Sequence, residues 1–380
     1  MSPRTLTAAF ALAAAALAAG PAAAQPRLTV RVAALVPADG SFVVHNRLLA
    51  RGAEVAATES SSGVKVSLTQ VRVRRGDSAA AVVARAVRAG ARAVVLPCND
   101  DRTPALADAA SAAHLLALSP CTPDAGMIRR GTFRWAVAMT GRAEAAQLVD
   151  YARRQNATSA FVIGVDGSWY SSRLTPLFVR AIKAEKLRLV GHADVQPRAL
   201  PIAALAKKIK ASGARAVFTP LFSPYVEQLT AGLRRHGVIA PIYAGDGTDA
   251  DLRLSRYGGA LSPVKDLLFA SYGFARPEAD PFQRAYKRRF GRYPDGSFPG
   301  LGFQTIALVR LAASRARSSE PAAMDAALAR GLRVTGVALG DTTYARNGSG
   351  IPTANVGVAE AIRGEYVPLF SSPAPPLRLG

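Results

Sequence analysis

Short apolar runs and amphipathic stretches alternate along most of the chain. The run LTVRVAALVP at 28–37 has the continuous apolar character of a buried strand, and SAAAVVARAVRAG at 78–90 repeats its apolar positions with a helical period up to Gly90. The alternation continues with predicted strands at 64–73, 91–97, 114–120 and 159–165, and with helices within 41–60, from Thr103-Pro104 and over 142–155. This order is typical of α/β proteins, in which helices cover both faces of parallel sheets.

One short segment occurs twice. GARAVVLP at 90–97 is echoed by GARAVFTP at 213–220, and the offset is 213 − 90 = 123 residues. Each copy follows a basic helix and precedes another helix and a short strand. An offset of this size is too long for a solenoid repeat and matches one α/β domain. The echo predicts two similar lobes, each a doubly wound sheet, although chance similarity in an Ala/Arg-rich chain is the alternative.

Two such lobes predict where a ligand would bind. In open α/β sheets, ligands bind outside the carboxyl ends of the strands, where loops and helix N-termini present free backbone N–H groups. If the lobes face each other, the loops after residues 97, 120, 165, 220 and 244 surround one cleft.

Both cysteines of the chain stand at this predicted edge. Cys98 and Cys121 each follow an apolar run. Neighbouring parallel strands lie about 4.8 Å apart, which is close to the Cα separation of about 5.5 Å that a disulfide prefers. The spacing predicts a disulfide. Two unpaired thiols remain the alternative, and the absence of a Cys-x-x-Cys motif disfavours a redox pair.

The N-terminal segment has the pattern of a secretory signal peptide. Arg4 precedes an apolar run from Leu6 to about Ala19, and the small residues Ala22-Ala23-Ala24 predict cleavage near Ala24. The run is shorter than the ~20 residues that span a bilayer. We therefore expect an exported, soluble protein without membrane insertion, in a compartment that permits disulfides.

Composition places the chain among globular proteins but leaves its charge unexplained. The 380 residues are 49% hydrophobic and 19% charged, and 48 Lys and Arg against 26 Asp and Glu give a net charge of +22. The length suits two domains. The basic residues are scattered over the predicted helices instead of forming one stripe, which disfavours nucleic-acid binding.

Catalytic and metal-binding motifs are missing from the sequence. It contains no Gly-x-Ser-x-Gly elbow, no Walker loop, no His-Glu-x-x-His and no Cys/His cluster, and its four histidines are isolated. We expect neither an enzyme, nor a metal site, nor a cofactor. A secreted hydrolase would require a histidine such as His45 beside Ser41 or Ser119.

Polar and aromatic residues suited to ligand binding gather at the predicted cleft. They are Ser41, His45, Asn99, Asp100, Asp101, Ser119 and Thr122 from the first lobe, and Asp166, Trp169, Tyr170, Phe222, Ser223 and Asp246 from the second.

Some of these residues have a second interpretation. Asp100 and Asp101 also suit the N-terminal side of the helix that begins at Thr103-Pro104, where negative charge is favourable. Trp169 and Tyr170 lie in a polar loop and are expected to contact a ligand or the opposite lobe. Asp246 ends a strand and is the leading candidate to hold a cationic group of the ligand.

Together these segments resemble one family, the leucine/isoleucine/valine-binding periplasmic proteins of ABC transporters, which have the type I two-lobed fold. The residues that carry the resemblance are Arg51-Gly52-Ala53-Glu54, Cys98, Leu118-Ser119-Pro120-Cys121-Thr122, Asp166-Gly167-Ser168-Trp169-Tyr170, Gly245-Asp246-Gly247 and the segment 282–294.

The resemblance implies a fold in which the chain crosses between the lobes near residues 140, 274 and 340. It also implies hinge closure around one small ligand and delivery to a permease. Matched residue by residue, Asn99 falls on a carboxylate-binding position and Cys121 and Thr122 fall on the second binding loop. Tyr170 and Phe222 fall on aromatic lining positions, and Asp246 falls on the acid that binds an ammonium group.

Two departures from the family pattern bear on the ligand. Asn99-Asp100-Asp101 replaces a hydroxyl-rich run, which places carboxylates beside a ligand carboxylate unless Arg102 compensates them. The predicted disulfide partner of Cys98 would be Cys121, whereas the family's usual partner for this position lies earlier in the chain. Because of these departures, a polar, amide-like, aromatic or cationic ligand fits the predicted site as well as a branched-chain amino acid does.

The sequence therefore predicts a monomeric periplasmic binding protein that presents a small polar organic solute, an amino acid or a relative, to ABC permease subunits. The predicted lobes are 26–139 with 275–340, and 140–274 with 341–380. The alternative function is an exported ligand-sensing receptor or accessory protein that works with a separate signalling partner.

Overall fold

The computed structural model describes residues 28–59, 63–121, 124–128, 133–249, 264, 266–273, 281–294, 296–334, 340–345, 349–362 and 365–375. The predicted signal peptide with its cleavage near Ala24 lies outside these ranges, and so does Thr122.

The first sheet, as far as the structure describes it, has five parallel strands in the order β2-β1-β3-β4-β5. The strands are β1 (Leu28–Pro37), β2 (Val64–Val73), β3 (Ala93–Val95), β4 (Leu116–Ser119) and β5 (Arg134–Ala136). The helices between them are α1 (Val43–Thr58), α2 (Ala79–Arg88) and α3 (Thr103–Ala112). Each of the strands and helices predicted in this region is present, and Ser78 caps α2 by accepting the Ala81 N–H group.

The second sheet follows from α4 (Gly141–Arg154) onward. Its parallel strands are β6 (Ser159–Val165), β7 (Arg188–Val195), β8 (Ala216–Thr219), β9 (Ile242–Ala244) and β10 (Leu267–Ser271), with helices α5 (Trp169–Ala184), α6 (Ile202–Ser212) and α7 (Tyr225–Arg235) between them. The remaining elements are α8 (Pro281–Phe290), α9 (Phe298–Ala316), α10 (Pro321–Ala329), β11 (Leu332–Val334), β12 (Thr342–Tyr344), β13 (Asn355–Ile362) and β14 (Glu365–Pro373). Within the described residues the order is β14-β13-β10-β9-β8-β6-β7, with β13 antiparallel to β10, while β11 and β12 form a separate pair.

The two sheets share one topology. If the strands of each lobe are counted from one, both sheets run 2-1-3-4-5, with β6 to β10 repeating β1 to β5. The echoed segments supply β3 and β8, the third strand of each sheet. The predicted two-lobed, doubly wound α/β fold is confirmed, and the echo in sequence reflects a repeated position in the fold.

Helices cover both faces of each sheet, as the alternating sequence pattern requires. In the first lobe, α2 and α3 pack on one face through residues such as Val82 and Leu106, while α1 and α9 cover the other. In the second lobe, α6 and α7 pack on one face, and α4 and α5 cover the other. The strands are therefore buried on both sides, which explains their continuous apolar runs.

Three crossings join the lobes. The chain passes from the first lobe to the second between β5 and α4, returns between β10 and α8, and crosses again between β12 and β13. Residues 274–280, between β10 and α8 in sequence, are outside the described ranges. The lobe boundaries given above remain predictions.

Two glycines allow α1 and α9 to touch. A Cβ atom on Gly52 would lie 1.7 Å from the carbonyl oxygen of Pro299, and one on Gly302 would lie 1.9 Å from that of Leu49. No side chain fits at such separations, so the backbones of the two helices meet directly. Through this contact, α9 packs on the first lobe, although it follows the second crossing in sequence.

We predict that Gly52→Ala destabilises the protein. The added methyl group meets backbone atoms that cannot rotate away, so α1 and α9 must separate, at a cost of about 1–3 kcal/mol or more in the free energy of unfolding. Urea denaturation measures the change. Val87→Ile adds one methyl group to the exposed face of α2, where Val87 is 46% exposed, and serves as the control. Equal stability of Gly52→Ala and wild type would show that the helices are not in backbone contact.

Candidate ligand-binding site

A cavity of about 1030 Å³ lies between the lobes. Its lining comes from loops that follow the first three strands of each sheet, with residues in the ranges 39–42, 44–45, 75–76, 99–102, 165–168, 196–198 and 222–225. In a sheet of order 2-1-3-4-5, the connections from strands 1 and 3 leave toward opposite faces and open a crevice between them. The facing crevices of the two lobes form this cavity.

The structure brings together part of the predicted site. Ser41, His45, Asn99, Asp100 and Phe222 line the cavity, as do Asp101, Asp166 and Ser223. Ser119, Trp169, Tyr170 and Asp246 are not among the lining residues. Ser119 ends the fourth strand of its sheet and Asp246 follows the fourth strand of the other, and the fourth strand lies further from the crevice than the third.

Trp169 and Ser119 have other contacts. The backbone N–H group of Trp169 donates to Asp101 Oδ1 at 3.2 Å, which links the two lobes at the rim of the cavity. The Ser119 hydroxyl donates to the Cys121 carbonyl oxygen at 2.8 Å and is fully buried. The nearest polar contact of His45 is with Gly247 and not with Ser41 or Ser119, so the arrangement that a hydrolase would need is not formed by these residues.

The loop after β3 is fixed from two sides. Cys98 and Cys121 form a disulfide with a Cα–Cα distance of 5.1 Å, as the positions at the ends of adjacent strands predicted. The Asn46 side chain on α1 accepts the Cys98 N–H group at 2.7 Å and donates to the Cys98 carbonyl oxygen at 3.0 Å. Asn99 follows immediately with a positive φ of 52°. Its side chain is therefore held on a rigid turn.

Arg102 neutralises one acid of its own loop and one acid of the loop after β1. Its guanidinium group donates to both carboxylate oxygens of Asp100, at 2.7 and 2.8 Å, and to Asp39 Oδ1 at 3.0 Å. The hydrogen bonds to Asp100 raise the pKa of Arg102. Arg102 therefore compensates Asp100 of the Asn99-Asp100-Asp101 run, whereas Asp101 accepts the Trp169 N–H group instead.

His45 is a buried, neutral histidine. Because a carbonyl oxygen can only accept, the 2.9 Å contact with the Gly247 oxygen assigns the proton to Nε2. Burial lowers the pKa of His45 from 6.5 to about 4. The ring lies on α1 at 4.8 Å from the ring of Phe42 and 4.8 Å from that of Phe298, as measured between centroids.

Asp246 is surrounded by hydrogen-bond donors. The hydroxyl groups of Tyr170 and Tyr272 each donate to it at 2.5 Å, and Asn99 Nδ2 donates to its Oδ2 at 3.1 Å. The Asp246 side chain is buried, and the Asn99 contact crosses from one lobe to the other. No cation touches its carboxyl group within the described residues.

Glu144 lies against the same turn. Its Oε1 accepts the Asp246 N–H group at 2.7 Å. Burial, together with the charge of Asp246, raises the pKa of Glu144 well above its usual range. Gly245 makes this approach possible, because a Cβ atom there would lie 2.1 Å from the Tyr170 hydroxyl oxygen. The predicted Gly245-Asp246-Gly247 turn is thus a short 3-10 helix, Asp246–Thr248, packed against polar side chains.

Asp249 ties the second lobe to the start of α9. Its Oδ2 accepts the hydroxyl groups of Ser271 at 2.6 Å and Ser297 at 2.5 Å, and its Oδ1 accepts the Ser297 N–H group at 3.3 Å. Burial raises the pKa of Asp249 to about 7 despite these bonds. It is a further polar contact between the lobes, beside those of Asn99 with Asp246 and His45 with Gly247.

Sequence reasoning missed several groups at this site. Phe42 lies with its ring 4.7 Å from Phe222 and 5.3 Å from Tyr170, which forms an aromatic contact between the lobes. Arg75 and Arg198 line the cavity from opposite lobes, and among the described residues neither side chain has a hydrogen-bond or ion-pair partner. The predicted repeat contained a signal for the two arginines. Arg75 follows the second strand of the first sheet, and Arg198 follows the second strand of the second sheet.

Two negative observations hold for the described part of the chain. No helix there combines the length and apolar character needed to cross a bilayer. No group of three or more His, Cys, Asp or Glu side chains is arranged there to hold a metal ion.

Comparisons with known proteins agree on the type of molecule. The sequence profile of a family described as periplasmic binding protein matches residues 29–365. A leucine-binding protein, LivK, from Thermotoga maritima superposes with a TM-score of 0.79 at 20% identity, over 92% of this chain and 100% of the other. No curated protein matches the sequence significantly.

Two further structures with bound ligands show the same fold. LivJ from Streptococcus pneumoniae, in complex with isoleucine, gives a TM-score of 0.74 at 18% identity over 90% of this chain and 100% of the other. An ABC transporter solute-binding protein from R. palustris, in complex with benzoate, gives 0.73 at 14% identity over 91% and 97%. The matches are solute-binding proteins and not enzymes, in agreement with the sequence prediction.

We predict that loss of the disulfide destabilises the protein. Cys98 and Cys121 are 23 positions apart, and a loop of that length corresponds to about 3 kcal/mol of unfolded-chain entropy. Cys98→Ala/Cys121→Ala and the chemically reduced wild type should unfold at lower urea concentration than the oxidised protein. Reductant should leave the double variant unchanged, which is the control. Identical unfolding of the oxidised and reduced wild type would contradict the prediction.

We predict opposite pH dependences for two buried groups. The folded pKa of Asp249, about 7, lies above its ordinary 3.8, so its contribution is present at low pH and is lost as pH rises toward 7. His45, lowered from 6.5 to about 4, contributes stability above pH 6.5 that is lost as pH falls toward 4. At about 1.4 kcal/mol per pKa unit each contribution is a few kcal/mol.

Because these contributions cancel in part in the wild type, variants separate them. The stability of the wild type minus that of Asp249→Asn should fall between pH 4 and 7, and the same difference for His45→Gln should rise between pH 4 and 6.5. Urea denaturation across this range measures both. A flat difference for either variant would contradict the assignment for that residue.

Proposed function

The chain belongs to the periplasmic binding protein family, and from this we propose that it is the periplasmic solute-binding component of an ABC importer. In this role it captures a small polar organic solute, an amino acid or a related compound, between its lobes and presents it to permease subunits. We propose that it acts as a monomer.

The observation that carries this proposal is the cavity between the lobes. Loops from the same strand positions of both sheets line it, so a bound molecule would contact both lobes at once. Three chain crossings join the lobes and provide a hinge. A ligand that contacts both lobes favours the closed arrangement by its additional contacts there, which is how binding would be signalled to a permease.

The side chains in the cavity support a solute with charged and apolar parts. Arg75 and Arg198 supply two unpaired positive charges at the opening, and Asp166 is an exposed acid on the same lining. Phe42 and Phe222 supply aromatic surface. The related structures contain isoleucine and benzoate, which both combine a carboxylate with an apolar group.

We assign direct ligand contact to the predicted residues that line the cavity, Ser41, His45, Asn99, Asp100 and Phe222. Tyr170 and Asp246 are assigned a supporting role behind Asn99. Cys121 and Ser119 support the loop after β3 from the neighbouring strand end.

A screen for thermal stabilisation tests the proposal. We expect at least one compound among the common amino acids, benzoate and 4-hydroxybenzoate to raise the melting temperature, since a ligand at a hundred times its Kd stabilises the folded state by about 2.7 kcal/mol. Ser41→Trp, which places a bulky side chain in the cavity lining, should abolish this shift.

Ser67→Trp, on the exposed side of the edge strand β2, is the matched control and should retain the shift. Failure of every compound, or an unchanged shift in Ser41→Trp, would contradict the proposal.

A further inference from the structure

Two buried acceptor atoms on the cavity lining lack a partner. Among the described residues that line the cavity, the buried side-chain nitrogen or oxygen atoms without a hydrogen bond are His45 Nδ1 and Asn99 Oδ1. The exposed fractions of these residues are 2% and 3%. A buried polar atom normally has a partner, so each such atom calls for an explanation.

Both atoms are acceptors. His45 donates through Nε2 to the Gly247 carbonyl oxygen, and a neutral imidazole has one donor, which leaves Nδ1 with a free lone pair. Asn99 uses its Nδ2 group as a donor to Asp246, which leaves the amide oxygen as the free atom. Neither atom is able to bind a ligand carboxylate, because a carboxylate has no proton to donate.

The side chains that carry the two acceptors are anchored to one turn. Asn99 bonds to Asp246 and His45 bonds to Gly247, which are consecutive residues of one turn. Both side chains are therefore tied to the same short turn, and both belong to residues that line the cavity.

Three protein donors near this turn already have acceptors. The hydroxyl groups of Tyr170 and Tyr272 donate to Asp246, and the Arg102 guanidinium group donates to Asp100 and Asp39. These three side chains therefore supply no donor to the two acceptors, whereas an N–H or O–H group of a bound molecule can supply one.

We propose that His45 Nδ1 and Asn99 Oδ1 together accept hydrogen bonds from an N–H or O–H group of the solute, while Asp246 holds Asn99 and does not contact the solute. This assignment rests on the proposed function and specifies the class of solute. It selects ammonium, amide or hydroxyl compounds over molecules that carry only acceptors. It also exchanges the roles that the family resemblance implied, in which Asn99 meets a carboxylate and Asp246 an ammonium group.

Matched pairs of compounds provide the first test. Leucine and 4-methylpentanoate share a carbon skeleton, but only leucine has an ammonium group, and 4-hydroxybenzoate differs from benzoate by one hydroxyl donor. Isothermal titration calorimetry should show that the donor-bearing member of a pair binds about tenfold or more tightly, the factor expected when a hydrogen bond to a buried acceptor is lost.

Two variants change the acceptors, and one of them, Asn99→Gly, also removes the Asn99 donor to Asp246. His45→Gln retains an N–H group for the Gly247 carbonyl oxygen and replaces the Nδ1 acceptor of the rigid ring by an amide oxygen on a flexible chain. Asn99→Gly removes the amide at a position whose φ of 52° glycine adopts freely. Each should weaken binding of the donor-bearing compound about tenfold or more.

The controls make the same replacements elsewhere. His236→Gln changes an exposed histidine, and Asn156→Gly changes an exposed asparagine with a φ of 64°. Both should bind as the wild type does. In wild-type protein labelled with ¹⁵N-histidine, the Nδ1 resonance of His45, identified by its loss in His45→Gln, should move when the compound binds.

The outcomes separate this inference from the proposed function. Binding that requires a donor, depends on both acceptors and moves the Nδ1 resonance supports the assignment. Preferential binding of benzoate or 4-methylpentanoate, or undiminished binding in His45→Gln and Asn99→Gly, overturns the assignment and leaves the proposed function standing. Absence of binding by every compound contradicts the proposed function and this inference with it.

Discussion

The buried hydrogen bond between Asn99 and Asp246 is the contact on which the account of this site depends. It joins the lobes through two side chains that are withdrawn from water, so each must be satisfied by its surroundings. On one side, the Cys98–Cys121 disulfide and Asn46 fix the loop that carries Asn99. On the other, two tyrosine hydroxyl groups orient the Asp246 carboxyl group. Both halves of the site are held rigid before a solute arrives, which reduces the ordering cost of binding.

The repeated sheet topology explains why these residues meet. Strands at equivalent positions in the two lobes direct their carboxyl ends toward one space, and the loops after strands 1, 2 and 3 line it from both sides. Charged groups lie toward the opening, with Arg75 and Arg198 on opposite lobes, while neutral polar and aromatic groups such as His45 and Phe42 are buried. This arrangement suits a solute that carries a charge at one end and hydrogen-bond donors or an apolar group elsewhere.

The fold could be predicted from the sequence alone. The apolar runs of β1 and β6 indicate buried strands, and the echo of β3 in β8 indicates two similar lobes. The sequence also placed Cys98 and Cys121 on adjacent strand ends. It was less informative about roles. Tyr170, Tyr272 and Asn99 donate hydrogen bonds to the Asp246 carboxyl group. These residues lie up to 147 positions from Asp246 in the chain, so no local sequence pattern reveals the contacts. The partner of His45, a backbone carbonyl group 202 positions away, is equally invisible to residue spacing.

A crystal structure of the protein with its tightest-binding solute tests the central claim most directly, since the claim concerns where a molecule sits and which atoms it meets. The account predicts electron density between the loops after β1, β3, β6 and β8, with a donor atom of the solute within hydrogen-bond distance of His45 Nδ1 and Asn99 Oδ1. A solute bound outside the space between the lobes, or one whose carboxylate faces Asn99 while its cationic group lies on Asp246, would contradict it.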